Sequence, residues 1–149
     1  MTSTFVMRSL SDLHRALLAV SGGRLGGRLL GHPSLELVTV GRRSGKSRSS
    51  MLTSPVQLGR SLVIVASRGG DDVDPAWLLN LRAHPRVQVA LAGRPAVAMV
   101  ARVATPDERE RLWPRVVAEM PRYAEYQERT SRVIPVVLLE PPEGPAAQV

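Results

Sequence analysis

Four cations fall within one short segment, GRRSGKSR at 41–48: Arg42, Arg43, Lys46 and Arg48, with no acidic residue between them. Guanidinium and ammonium groups are charge-assisted donors to phosphate and carboxylate oxygens. Gly41 and Gly45 are expected to leave backbone N–H groups accessible to the same anion. The segment is not a nucleotide P-loop, because G-x-x-x-x-G-K spacing is required and only Arg42, Arg43 and Ser44 separate Gly41 from Gly45. The strand-like run after it also argues against a P-loop, which opens a helix. A second stretch, SRGG at 67–70, offers a hydroxyl, a cation and two flexible residues, again suited to an anionic ligand.

Other chemistries find less support. His14, His32 and His84 are scattered without metal-ligand spacing and read as structural, so no metal is expected. No cysteine is present, which removes disulfides and thiolate chemistry and fits a reducing cytoplasm. No glycine-flanked serine marks a hydrolase nucleophile. The formal charge of +7 invites an anionic partner. Phe5, Trp77, Trp113, Tyr123 and Tyr126 are the only aromatics and do not interleave with the basic residues, so a nucleic-acid-binding module is the weaker alternative.

Periodicity predicts the elements that must hold these segments. Val6, Leu10, Leu13, Leu17 and Leu18 recur at helical spacing, giving an amphipathic helix over about 5–20. Its charges break any membrane span or secretory core, and its apolar face has two uses open to it, packing on the barrel or weak contact with the inner membrane surface. A glycine-rich connection follows. LELVTVG at 35–41 and SSMLTSPVQ at 49–57 form a hairpin through the basic turn, with Pro55 at a strand end or sheet edge, and LVIVAS at 62–67 is a buried strand.

Beyond it, Asp74 is expected to cap a short helix with Pro75 in its first turn. VQVALA at 87–92 and PAVAMVARVA at 95–104 make a second hairpin. Thr105, Pro106 and Glu108 open a helix through about 119 with a capping box, and Pro114 is placed to kink it. A short helix at 123–129 and a strand at 133–140 complete a mostly β domain with peripheral helices. The organisation expected is residues 1–31 as helix and connection, 32–141 as one barrel, and 142–149 as a disordered tail.

VGRRSGKSR at 40–48, VASRGG at 65–70, DPAWLLNLRAHPRVQV at 74–89 and MPRYAEYQERTSRVIPVVLLEP at 120–141 together resemble the deazaflavin-dependent nitroreductase family, in the same order along the chain. The resemblance implies a split β-barrel of the FMN-binding split-barrel type. It implies an oxidoreductase that uses reduced coenzyme F420 to pass hydride to a quinone, a nitro compound or another activated acceptor. An FMN enzyme of the same barrel class is the alternative. It also implies that Arg42, Arg43, Ser44, Lys46 and Arg48, then Ser49, Ser50, Met51, Leu52 and Thr53, follow the cofactor's phosphate and acidic tail. Val65, Ala66, Ser67 and Arg68 stand beside the same chain. Ala76, Trp77, Leu78, Leu79 and Asn80 are expected near the deazaflavin ring, and Tyr123 is expected to border the acceptor pocket as hydrogen-bond or proton donor. Two residues depart from the pattern. Met120 stands where members active on bulky nitro compounds tend to carry an aromatic, and Thr53 where tyrosine is common, which favours a quinone or another activated acceptor.

Overall fold

In a computed structural model of the chain, residues 28–29 and 31–143 are described. The expected helix at 5–20 and most of the expected tail lie outside them. The β-rich runs form β1 (Arg28–Leu29), β2 (His32–Val40), β3 (Ser47–Thr53), β4 (Val56–Leu58), β5 (Ser61–Val65), β6 (Arg86–Leu91), β7 (Val97–Val103) and β8 (Val136–Glu140). Among the described residues the α-helices are α1 (Ala76–Ala83), α2 (Pro106–Glu119) and α3 (Arg122–Glu128).

The strand expected at 49–57 is two strands. Pro55 has no N–H to offer a ladder, and the Ser54 hydroxyl bonds Val56 O at 2.9 Å, so the chain breaks there into β3 and β4. This break shapes the molecule. The antiparallel order is β1-β2-β6-β7-β8-β5-β4, with β3 on the free side of β2. Residues 54–55 therefore join the two outermost strands of one sheet, and a link that short requires the sheet to curl into a barrel.

Inside the curl, Leu35 and Leu37 of β2, Val87 and Val89 of β6, and Leu62 and Ile64 of β5 surround Trp77, Leu78 and Leu81 of α1. Helix α1 thus plugs the barrel. β5 and β8 are buried on both faces, because Val63, Val65, Val136 and Leu138 pack outward against Leu112 and Val116 of α2, Met120 and Tyr123. Each such aliphatic side chain contributes about 1.5–3 kcal/mol by leaving water. Helix α2 starts with the expected capping box, the Thr105 hydroxyl accepting from Glu108 N–H at 3.2 Å and the Glu108 carboxylate from Thr105 N–H at 2.9 Å. It continues through Pro114 as one helix. No helix of the described residues is long and apolar enough to cross a membrane.

Candidate cofactor-binding site

The basic turn lies between β2 and β3. A Cβ on Gly41 would meet Ser44 Oγ at 2.7 Å and Lys46 O at 3.2 Å, so a side chain there would displace the Ser44 hydroxyl, and Gly45 adopts φ 71, open to glycine without penalty. The amides of both glycines are not free for a ligand, which corrects the expectation. Gly41 N–H donates to Lys46 O and Gly45 N–H to Gly41 O, each at 2.8 Å, while Lys46 N–H donates to the Ser44 hydroxyl at 3.1 Å. A turn this tight closes its own hydrogen bonds, so anion recognition falls to side chains. Arg43, Lys46 and Arg48 are exposed, and among the described residues none of them is ion-paired.

Arg42 plays a different part. Its backbone N–H and its Nη1 both donate to Asn80 Oδ1 at 3.1 Å, and Asn80 Nδ2 donates to the Thr39 hydroxyl at 3.2 Å. Asn80 is only 4% exposed, so its amide is a bracket between turn and helix rather than a surface group. Thr39 was not anticipated. Its signal is a polar residue on the inward-facing alternation of Leu35 and Leu37.

Period-two alternation divides the run expected to line the cofactor. Ser50 and Leu52 sit opposite Leu37 and Leu35, on the barrel's inner face, with Arg48 opposite Thr39 at its end. Ser49, Met51 and Thr53 take the other face, where the Ser49 hydroxyl donates to Glu36 at 2.6 Å. One ligand on one face of β3 meets half of these side chains.

The second expected segment follows β5. Val65 turns its side chain into the outer cluster with Tyr123, leaving only its backbone to the loop. Arg68 holds a left-handed φ of 45, rare for a residue with a Cβ. Every carbonyl from 66 to 69 is occupied: Ala66 O and Ser67 O by Arg132, Arg68 O by Asp71 N–H, and Gly69 O by Arg129. The N–H groups of Ser67, Arg68 and Gly69 have no acceptor among the described residues. Occupied carbonyls and open N–H groups make a loop that attracts an anion.

Asp74 does not cap α1. Its carboxylate accepts from Arg132 Nη1 at 2.9 Å, and Pro75 takes the N-cap position without a side-chain bond. Of the helix residues singled out, Ala76 is exposed, Leu79 half-buried, and Trp77 and Leu78 packed in the core. Leu78 is fully buried and presents no surface to a ligand.

Tyr123 and Met120 lie on the outer side of β5 and β8, Tyr123 on α3, the helix that packs against the loop at 68–70. Met120 is 4% exposed and fills the cluster under α2. Tyr123 packs edge-on to Tyr126, with ring centroids 5.9 Å apart. Burial pushes its phenol up to about 12, with Tyr126 adding and Arg122 opposing, so it stays neutral and able to donate. Among the described residues, His32 Nδ1 and Ser34 Oγ are buried polar side-chain atoms without a partner. Tyr126 in turn backs the loop, since a Cβ on Gly70 would meet Tyr126 O at 2.7 Å.

The family model for F420H(2)-dependent quinone reductase matches residues 10–141. An F420H(2)-dependent quinone reductase of Mycobacterium tuberculosis is 40% identical over 132 residues, covering 85% of this chain and 87% of its own. The solved structure of an F420-H2-dependent reductase aligns with a TM-score of 0.64 at 38% identity, covering 72% of this chain and 94% of that one. A Listeria innocua protein assigned as a pyridoxamine 5′-phosphate oxidase, at 16% identity and a TM-score of 0.53 over 89% of this chain and 94% of its own, shares the fold alone. The curled antiparallel sheet is a split β-barrel, and the chain belongs to the F420H(2)-dependent quinone reductase family.

Proposed function

We propose that the chain binds coenzyme F420 between the basic turn, the loop at 66–69 and the first turns of α1, and uses the reduced cofactor to reduce a quinone. The observation that carries the reading is the set Arg43, Lys46 and Arg48, exposed and without acidic partners among the described residues, on a turn braced by Arg42 and Asn80. Unspent cations on a fixed turn match a phosphate followed by an acidic oligoglutamate tail. FMN carries a phosphate but no such tail, so it uses fewer of these donors. A nucleic acid lacks stacking partners on this surface, because Trp77 is buried in the barrel.

When bound, reduced coenzyme F420 supplies the hydride, and the protein supplies orientation and charge matching. Arg43, Lys46 and Arg48 would hold the acidic chain, and the N–H groups of Ser67, Arg68 and Gly69 would meet a phosphate oxygen. The start of α1, where Ala76 and Leu79 are the accessible side chains of residues 76–80, would form the wall nearest the ring. The neutral Tyr123 phenol donates a hydrogen bond to the quinone oxygen as negative charge builds there. The acceptor is a small molecule met in the cytoplasm or at the inner membrane surface.

Titration of the purified protein with coenzyme F420, FMN and an oligonucleotide, followed by oxidation of the reduced cofactor with a small quinone, tests the reading. Tightest binding by coenzyme F420 and rapid oxidation are expected. Equal or tighter FMN binding, or tight oligonucleotide binding, refutes it.

A further inference from the structure

The loop at 66–71 and the start of α1 are the two parts of the proposed site that come from neither strand of the basic hairpin. Both end on one side chain. Arg132, whose side chain is 16% exposed, donates from Nε to Asp71 O at 2.7 Å and from Nη1 to Asp74 Oδ1 at 2.9 Å. Its Nη2 donates to Ala66 O at 3.2 Å and to Ser67 O at 2.9 Å. A guanidinium has five N–H donors in a rigid planar fork, so these four bonds fix the spacing and tilt of everything they hold.

Two of the elements they hold are strained or uncapped. Arg68, between the gripped carbonyls, occupies a left-handed φ of 45, a conformation that persists only where its surroundings over-determine it. Helix α1 begins without a side-chain cap, its candidate cap Asp74 being spent on Arg132. Ala66 O and Asp71 O, released from Arg132, would be free to turn toward an approaching anion and repel it, while Ser67 O would keep its bond from Gly70 N–H at 2.9 Å.

We infer that Arg132 is a positioning residue for cofactor binding: it sets loop 66–71 against the start of α1 so that the loop presents N–H groups, and not carbonyls, to the ligand. The inference rests on the binding site proposed above. Arg132 acts through the backbone, so its loss weakens cofactor binding without removing a ligand contact.

Arg132→Lys keeps the charge but cannot form the fork. In fluorescence titration with coenzyme F420, at a temperature where circular dichroism shows the variant folded, its Kd should rise by about ten-fold, the scale of one lost charged hydrogen bond. Quinone turnover at saturating cofactor should fall far less, so the loss appears in KM and not in kcat. Asp74→Asn, which loosens only the α1 end, should give a smaller rise, and millimolar guanidinium should restore binding to Arg132→Ala but not to Arg43→Ala. A Kd for Arg132→Lys within about two-fold of the parent, against the ten-fold expected, overturns the inference even if the melting temperature drops. Arg43→Ala separates the two levels. If it too leaves the Kd unchanged, the binding-site reading fails and takes the inference with it; if it weakens binding while Arg132→Lys does not, the inference alone fails.

Discussion

Arg42 donates twice to the same atom, Asn80 Oδ1, once from its backbone N–H and once from Nη1, both at 3.1 Å. The relationship joins the turn after β2 to the middle of α1, 38 residues later in sequence. It makes the position of three unpaired cations depend on a helix buried in the barrel.

Asn80→Ala should therefore be costly at two levels. It leaves the buried Thr39 hydroxyl and the Arg42 N–H without their partner, which costs about 1–3 kcal/mol in denaturant unfolding. It should also weaken coenzyme F420 binding, although Asn80 itself is nearly inaccessible. Unchanged stability and affinity together would mean that the bracket does no work in solution.

Arg43 is exposed and has no partner among the described residues, so Arg43→Ala should leave unfolding within about 0.5 kcal/mol of the parent. Its effect belongs to binding. Loss of one charged hydrogen bond to the cofactor should cost about 1–3 kcal/mol at low salt, and the gap should narrow as salt is raised. A difference that ignores ionic strength would point to shape rather than charge.

Tyr123→Phe removes a hydroxyl and keeps the ring in the outer cluster. Turnover with a quinone should fall while cofactor affinity holds, because only a contact to the reacting acceptor is lost. Since burial raises the phenol to about 12, the advantage of the parent over Tyr123→Phe should be flat across neutral and mildly alkaline pH. A step in that ratio within this range would assign the titration to another group.

Glu108 binds Arg102 with both oxygens, at 2.7 and 2.8 Å, and the guanidinium beside it lowers its carboxyl from 4.5 to about 2. A depressed carboxyl stabilises the fold in its ionised form. The contribution is complete above 4.5 and is lost as pH falls from there toward 2. Glu108→Gln should lower the melting temperature at neutral pH and make the acid decline over that window shallower. Parallel melting curves for the two proteins across the window would show that the pair adds nothing.

Some of this protein is written locally in its sequence. Thr105 and Glu108 close a capping box because three residues of helix bring them together whatever the rest of the chain does. The alternation of Leu35 and Leu37 marks an inward face, and the cations from Arg42 to Arg48 share a turn because they are contiguous. The pairings that define the site are not local. Asp74 had the sequence of a helix cap, yet Arg132, 58 residues away, is the stronger partner once the curled sheet brings the two together. Val65 and Ala66 are neighbours in sequence, but the pleat sends one into the outer cluster and the other into the barrel. Gly41 and Gly45 had the flexibility to offer their amides, and the closed turn took them. Propensity and spacing act over a few residues, and the sequence shows them directly. Which carbonyl meets which guanidinium depends on strand register and on the sheet's closure through residues 54–55, and only the assembled barrel decides that.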